Sequence, residues 1–181
     1  MGFFKDRYGA LTLFGVPPEE YWAYNIDNYD KEPPAFCYSF AKNYQAISYV
    51  RIDPSGVAKD ILLQSIKDNI SKGFPCMFGF TVYNSIQQSA STGKIPYPSE
   101  GEKIDGGHAV VAVGYDDKLT IKNEMCDKET KRALFIRNSW GVEWGEKGYG
   151  YLPYDYVTTG LAEDCWTLIQ QGWVDTAQFG E

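Results

Sequence analysis

The chain has 181 residues, long enough to bury a core without disulfide or metal support. Its 44% hydrophobic and 23% charged residues exclude intrinsic disorder, and its longest apolar run, Ala109–Val113, is far too short to span a bilayer. A net charge of −7, with no basic cluster longer than Lys131-Arg132, leaves no face to displace counterions from a nucleic acid.

In chain order, residues 5–15 read as a helix ending at Gly15, because Pro17-Pro18 forbids continuation. Pro18–Tyr21 opens a turn or a short helix. Pro33-Pro34 precedes a helix near 35–45, where Phe36, Phe40 and Tyr44 recur every four positions. The clearest helix is 57–72, with Ala58, Ile61, Leu62, Ser65, Ile66 and Ile70 on one face and Gly73 at its C-terminal cap. Strands follow at 75–83, 108–115, 133–138 and 165–170. Two segments read as loops: 85–105, rich in Gly, Pro and small polar residues, and 116–130, charged and solvated. The acids of the second, Asp116, Asp117, Glu124 and Asp127, lack the spacing of an EF-hand. A helical first third followed by an antiparallel sheet predicts an α+β fold.

Four cysteines, Cys37, Cys76, Cys126 and Cys165, have no CxxC spacing, and a single histidine leaves few ligands for zinc. They are too few for a disulfide scaffold, although one or two bridges fit the count. No metal site and no cofactor are expected.

Three motifs carry chemistry. Gly106-Gly107-His108-Ala109-Val110 sets the only histidine at the head of an apolar strand, where the glycines let a substrate backbone approach the ring. Arg137-Asn138-Ser139-Trp140-Gly141 closes another apolar strand. An Asn there can accept from one imidazole nitrogen, fix the tautomer and leave the other nitrogen to work. A Trp beside that contact keeps water away from it. The third motif, Trp144-Gly145-Glu146-Lys147-Gly148-Tyr149-Gly150, reads as a glycine-rich hairpin. Taken singly, each also fits a plain structural role.

In this order the three motifs resemble the papain-like cysteine peptidases, whose second half runs His-Ala-Val, Asn-Ser-Trp-Gly and Trp-Gly-x-x-Gly-Tyr. Upstream, Glu19–Tyr24 is similar to the family's Glu-x-x-Tyr-Pro-Tyr stretch, with Trp22 and Ala23 in place of Tyr and Pro. The helix 57–72 with Phe74-Pro75, and Tyr83 with the loop before His108, extend the likeness over nearly the whole chain. The resemblance implies His108 as the acid–base partner of a thiolate, Asn138 as its orienter and Trp140 as the shield. It also implies Trp144 on the leaving-group side, and Gly79, Ala109 and Gly107 along the substrate. It divides the chain into residues 1–55, the remainder of a helical domain, and 56–181, the β-rich domain bearing His and Asn.

The nucleophile departs from the family pattern. His and Asn follow the family's catalytic Cys by about 130–150 residues, so counting back from His108 passes Met1. Cys37 echoes the catalytic helix in Ala35-Phe36-Cys37-Tyr38-Ser39-Phe40, but stands only 71 residues before His108, with no Cys-Gly-Ser-Cys run and no upstream Gln for an oxyanion contact. It reads as structural, as do the other three cysteines. The start Met1-Gly2-Phe3-Phe4-Lys5-Asp6 lacks the apolar stretch of a signal peptide, which carries no weight if the chain begins inside a longer protein. The leading expectation is the C-terminal part of a cysteine peptidase, inactive alone, with the nucleophilic Cys upstream. Its partners would be a peptide or protein substrate and either a Cys-bearing N-terminal segment or a second copy of itself. The alternative is a non-catalytic module that holds a peptide or protein in the surviving half-cleft.

Overall fold

The computed structural model describes residues 4–46 and 48–169. The chain separates into two compact units, one reaching to Val50 and taking in Leu168 and Ile169, the other Arg51–Thr167. The break lies at 50/51, where the sequence reading placed it at 55/56, and residues 170–181 lie outside the described part.

In the first unit, helix α1 (Phe4–Leu13) stops two residues short of Gly15, the predicted end. Gly15 takes a φ of 79°, and a Cβ there would collide with the Ala41 carbonyl, so only glycine fits the exit. Gln45 Nε2 donates to the carbonyls of Thr12 and Leu13, satisfying acceptors that the helix end leaves open. Helix α2 (Ala35–Ala41) begins after Pro34 and tightens into a 3₁₀ turn over Lys42–Tyr44. Tyr21 packs edge-on against Phe36 and Phe40, at 5.4 and 4.8 Å. Strand β1 (Ser48–Arg51) follows.

The second unit holds the larger core. Helix α3 (Lys59–Ser71) buries Leu62 and Ile66 one turn apart. Ile61 is 58% exposed, so the apolar stripe is narrower than the sequence face suggested and runs along Leu62, Ile66 and Ile70. Gly73, at φ 84°, ends the helix: its N–H donates to Ile70 O, and that of Phe74 to Asn69 O, the paired bonds of a Schellman cap.

Strands β2 (Cys76–Tyr83), β3 (Ile104–Asn123), β4 (Lys128–Arg137), β5 (Tyr149–Pro153) and β6 (Ala162–Ile169) lie side by side in the order β6-β2-β3-β4-β5. Every pairing whose register is resolved is antiparallel. The short helix α4 (Tyr154–Thr158) lies between β5 and β6. Phe78, Leu134, Ile136, Leu152, Tyr156 and Val157 are fully buried among these elements. Each such side chain contributes about 1.5–3 kcal/mol by leaving water. The α+β class expected from the sequence is the one observed.

One sequence expectation is overturned. The segment 116–130 is not a solvated loop: β3 and β4 continue through it as a hairpin, with Thr120–Asn123 paired to Lys128–Lys131. Its charges were the misleading signal, since most are used locally. Asp117 takes two bonds from Lys67 Nζ, at 2.9 and 3.0 Å, and one from the Tyr154 hydroxyl. Asp127 pairs with Lys122 at 2.7 Å. The loop 85–105 also has structure, opening with a 3₁₀ turn over Asn84–Ser89 and burying Ile95, Pro96 and Pro98. Among the described residues, no helix is long and apolar enough to cross a membrane and no cluster of three metal-binding side chains occurs.

Candidate active site

His108 lies on β3 opposite Phe80 of β2, whose ring meets the imidazole edge-on at 6.0 Å. Asn138 follows the last residue of β4, and its backbone N–H donates to Gly148 O at 2.9 Å, fixing it at the mouth of the next turn. The strands thus bring together two residues thirty apart: His108 Nε2 and Asn138 Oδ1 are 2.7 Å from each other.

That contact has a defined polarity. Asn138 Oδ1 also accepts the Ser139 backbone N–H at 2.8 Å, so the oxygen, not the amide nitrogen, must face this side. The imidazole nitrogen facing it is therefore the donor. Nε2 carries the proton, and Nδ1 is left as the basic nitrogen of the neutral ring. Asn138 Nδ2 is buried without a partner among the described residues.

Trp140 lies over the pair, stacked on the imidazole at 4.6 Å and 26°. Its outer side is open to solvent, the residue being 44% exposed. Trp144, 8% exposed, meets Trp140 edge-on at 5.4 Å and 88°. The turn that carries it closes at Lys147 and Gly148, with φ of 56° and 87°, the signs a type I′ hairpin needs. Glu146 and Tyr149 exchange backbone bonds across it, at 2.8 and 3.2 Å. Gly150 leaves room for the Trp144 ring, which a Cβ there would meet at 2.5 Å.

Gly79 and Ala109 face each other across β2 and β3, and Gly107 pairs with Thr81. Alternation along the strand puts Ala109 and Gly107 on the face opposite His108. The structure thus joins His108, Asn138, Trp140 and Trp144 in one cluster and sets the three small residues together on the other face. Phe80 and the Gly148 bond to Asn138 complete the cluster and were not foreseen. Only the register of β2 on β3 shows the first, and only the turn geometry shows the second.

All four cysteines are free thiols. Cys76 is four residues from Phe80 along β2, about 13 Å of strand, and burial pushes its thiol up to about 12. Cys165 is fully buried, its thiol raised first by burial and then by the Asp53 carboxylate. Cys126 is exposed in the turn that joins β3 to β4 at the far end of the hairpin. In the first unit, Cys37 is buried in α2, its thiol donating to Tyr21 O at 3.5 Å.

Comparison with known proteins places this cluster in a family. Residues 5–169 match the papain family cysteine proteases. An uncharacterized peptidase C1-like protein of Acanthamoeba polyphaga mimivirus is 35% identical over 168 residues, which cover 90% of this chain and 50% of that protein. Xylellain, a cysteine protease from Xylella fastidiosa, superposes with a TM-score of 0.67 at 32% identity, covering 92% of this chain and 60% of its own. Digestive procathepsin L 3 of Tenebrio molitor larval midgut shares the fold at a TM-score of 0.62 and 19% identity, with 93% and 48% covered. This chain thus spans half of its viral relative and three-fifths of xylellain. From the motif order, the His108–Asn138 geometry and these matches together, the chain belongs to the papain family of cysteine proteases.

Proposed function

We propose that this chain is the C-terminal part of a papain-like cysteine peptidase that hydrolyses peptide bonds, its nucleophilic cysteine carried by a segment upstream of Met1. The observation that carries the reading is the His108 Nε2–Asn138 Oδ1 contact at 2.7 Å beneath Trp140, which leaves Nδ1 as the working nitrogen. In that role Nδ1 accepts the proton of the cysteine thiol, giving a thiolate–imidazolium pair. The thiolate attacks the substrate carbonyl, and the imidazolium then protonates the departing amine as the C–N bond breaks. Nδ1 next takes a proton from water, whose oxygen attacks the thioester, and returns it to the leaving thiolate.

In this reading Asn138 holds the tautomer and Trp140 keeps water from the bond, strengthening it in a less polar setting. Trp144 lines the leaving-group side. Gly79, Ala109 and Gly107, on the strand face opposite His108, take a substrate-side role from the family resemblance alone. The thiols of the second unit support an upstream nucleophile, because Cys76 and Cys165 are buried and poorly ionised.

The test is peptide hydrolysis by a form extended at its N-terminus through the Cys-bearing segment. His108→Ala is expected to abolish turnover, and Asn138→Ala to lower kcat on the order of 100-fold by releasing the tautomer. Unchanged activity on His108→Ala would overturn the reading. A second reading, a peptide-holding module without catalysis, is favoured by the partly open Trp140 face beside Trp144. Peptide binding by an extended form that hydrolyses nothing would select it.

A further inference from the structure

The tip of the β3–β4 hairpin is tied to the active-site cluster by a continuous path. Asn123, at the end of β3, is only 1% exposed. Its Oδ1 accepts from Gln88 Nε2 and from the Met125 backbone N–H, each at 3.0 Å, and its Nδ2 donates to Tyr97 O at 2.9 Å. Gln88 Oε1 in turn accepts the Glu124 N–H at 3.0 Å. Both ends of the Gln88 carboxamide are therefore spent on the hairpin tip. The Asn123 amide, buried with its donor and acceptor both matched, specifies one docking geometry, because any slip leaves polar groups unpaired.

Gln88 belongs to the 3₁₀ turn Asn84–Ser89, whose far end touches the tryptophan turn backbone to backbone. Ala90 O accepts the Gly145 N–H at 2.9 Å, and Gly93 O accepts the Tyr151 N–H at 2.8 Å. A Cβ on Gly145 would meet Gly93 Cα at 2.8 Å, so the two segments meet with no side chain between them to absorb a shift. Gly145 is joined to Trp144, Trp144 abuts Trp140, and Trp140 is stacked on His108.

We propose that Gln88 and Asn123 are positioning residues, through which the β3–β4 hairpin tip braces the Trp144–Trp140 wall and so sets how Trp140 stacks on His108. This rests on the proposed catalytic role of His108 only for its effect on turnover; the stacking itself is measured without it. Neither residue touches His108, and both act through the turn.

The chain has one histidine, so its ring protons give unambiguous NMR signals. Stacked beneath an indole, they are shifted upfield. Gln88→Ala is expected to move them downfield, towards unstacked positions, in a chain still folded by circular dichroism. Thr130→Ala is the control. Its hydroxyl donates to Ile121 O at 3.3 Å within the same hairpin, so its loss loosens the stem without touching Gln88. The control is expected to leave the His108 signals in place. Should Gln88→Ala not fold, Gln88→Glu keeps the acceptor for Glu124 N–H but sets a carboxylate oxygen against Asn123 Oδ1, and a downfield shift is again expected. Unmoved signals in the folded Gln88 variant, or equal movement in the Thr130 control, would overturn the brace. In the N-terminally extended form, Gln88→Ala should lower kcat about tenfold at near-constant KM. An extended form with no turnover would refute the peptidase reading and leave the NMR result to judge the brace.

Discussion

The Asn138 carboxamide can face His108 in one way only, because its oxygen already holds the Ser139 N–H, and that constraint decides which imidazole nitrogen is basic. The residue types of this cluster were legible in the sequence, since His108, Asn138, Trp140 and Trp144 all lie in short motifs of fixed order. Phe80 was not, because it enters through strand register alone, and Gly148 stood in the third motif without its bond to Asn138 being readable there. The thiols give a prediction at this scale. Burial holds Cys76 protonated up to about 12, and Cys165 and Cys37 are also buried, whereas Cys126 is exposed. A thiol reagent at pH 8 should label one cysteine in the native chain and four after denaturation, with Cys126→Ser abolishing the native label. Rapid native labelling at Cys76 would contradict the burial. The sign for stability follows from the same shift. A thiol with a raised pKa in the folded state contributes fully below its unfolded value, about 8.5, and its contribution is lost as pH rises towards 12. Cys76→Ala should therefore flatten the alkaline loss of stability over that window, as read by chemical denaturation.

At the scale of elements, the helices announced themselves through periodicity and punctuation. Gly15 and Gly73 both end their helices at positive φ, as their places before Pro17 and Pro75 suggested. The β3–β4 hairpin did not, because acids and lysines in 116–130 read as solvent-facing, while pairing with Lys67, Tyr154 and Lys122 lets them lie along a sheet. Strand β5 and helix α4 were also missed, hidden by the glycines and tyrosines that follow Trp144. The turn between Trp144 and Gly150 is the element that holds the tryptophan wall, and Gly145 is its tightest point, with φ 57° and Gly93 Cα 2.8 Å from any added Cβ. Gly145→Ala should destabilise the chain by about 2–4 kcal/mol, through left-handed strain and a backbone clash together. Gly56→Ala, at φ 88° with open space around it, carries the strain alone and should cost about 1 kcal/mol. Thermal unfolding of the two variants checks the ranking, and equal losses would show that the backbone clash with the Tyr149 carbonyl and Gly93 contributes nothing.

For the whole molecule, the chain spans half the length of its viral relative, and the first unit exposes Phe14, Val16, Ile26 and Phe36. Exposed apolar side chains favour burial against a partner. The isolated chain is therefore expected to self-associate or to bind a Cys-bearing segment, with apparent mass rising with concentration in light scattering. A constant monomer mass would contradict that. The family was readable from motif order alone. The most direct test of the central claim is hydrolysis of a mixed fluorogenic peptide library by this chain alone, under reducing conditions, with the fold checked by circular dichroism. The account predicts an intact fold and no turnover, because no thiol of the second unit is placed to meet His108. Turnover that disappears when thiols are blocked would contradict it, since one of Cys37, Cys76, Cys126 or Cys165 would then be the nucleophile.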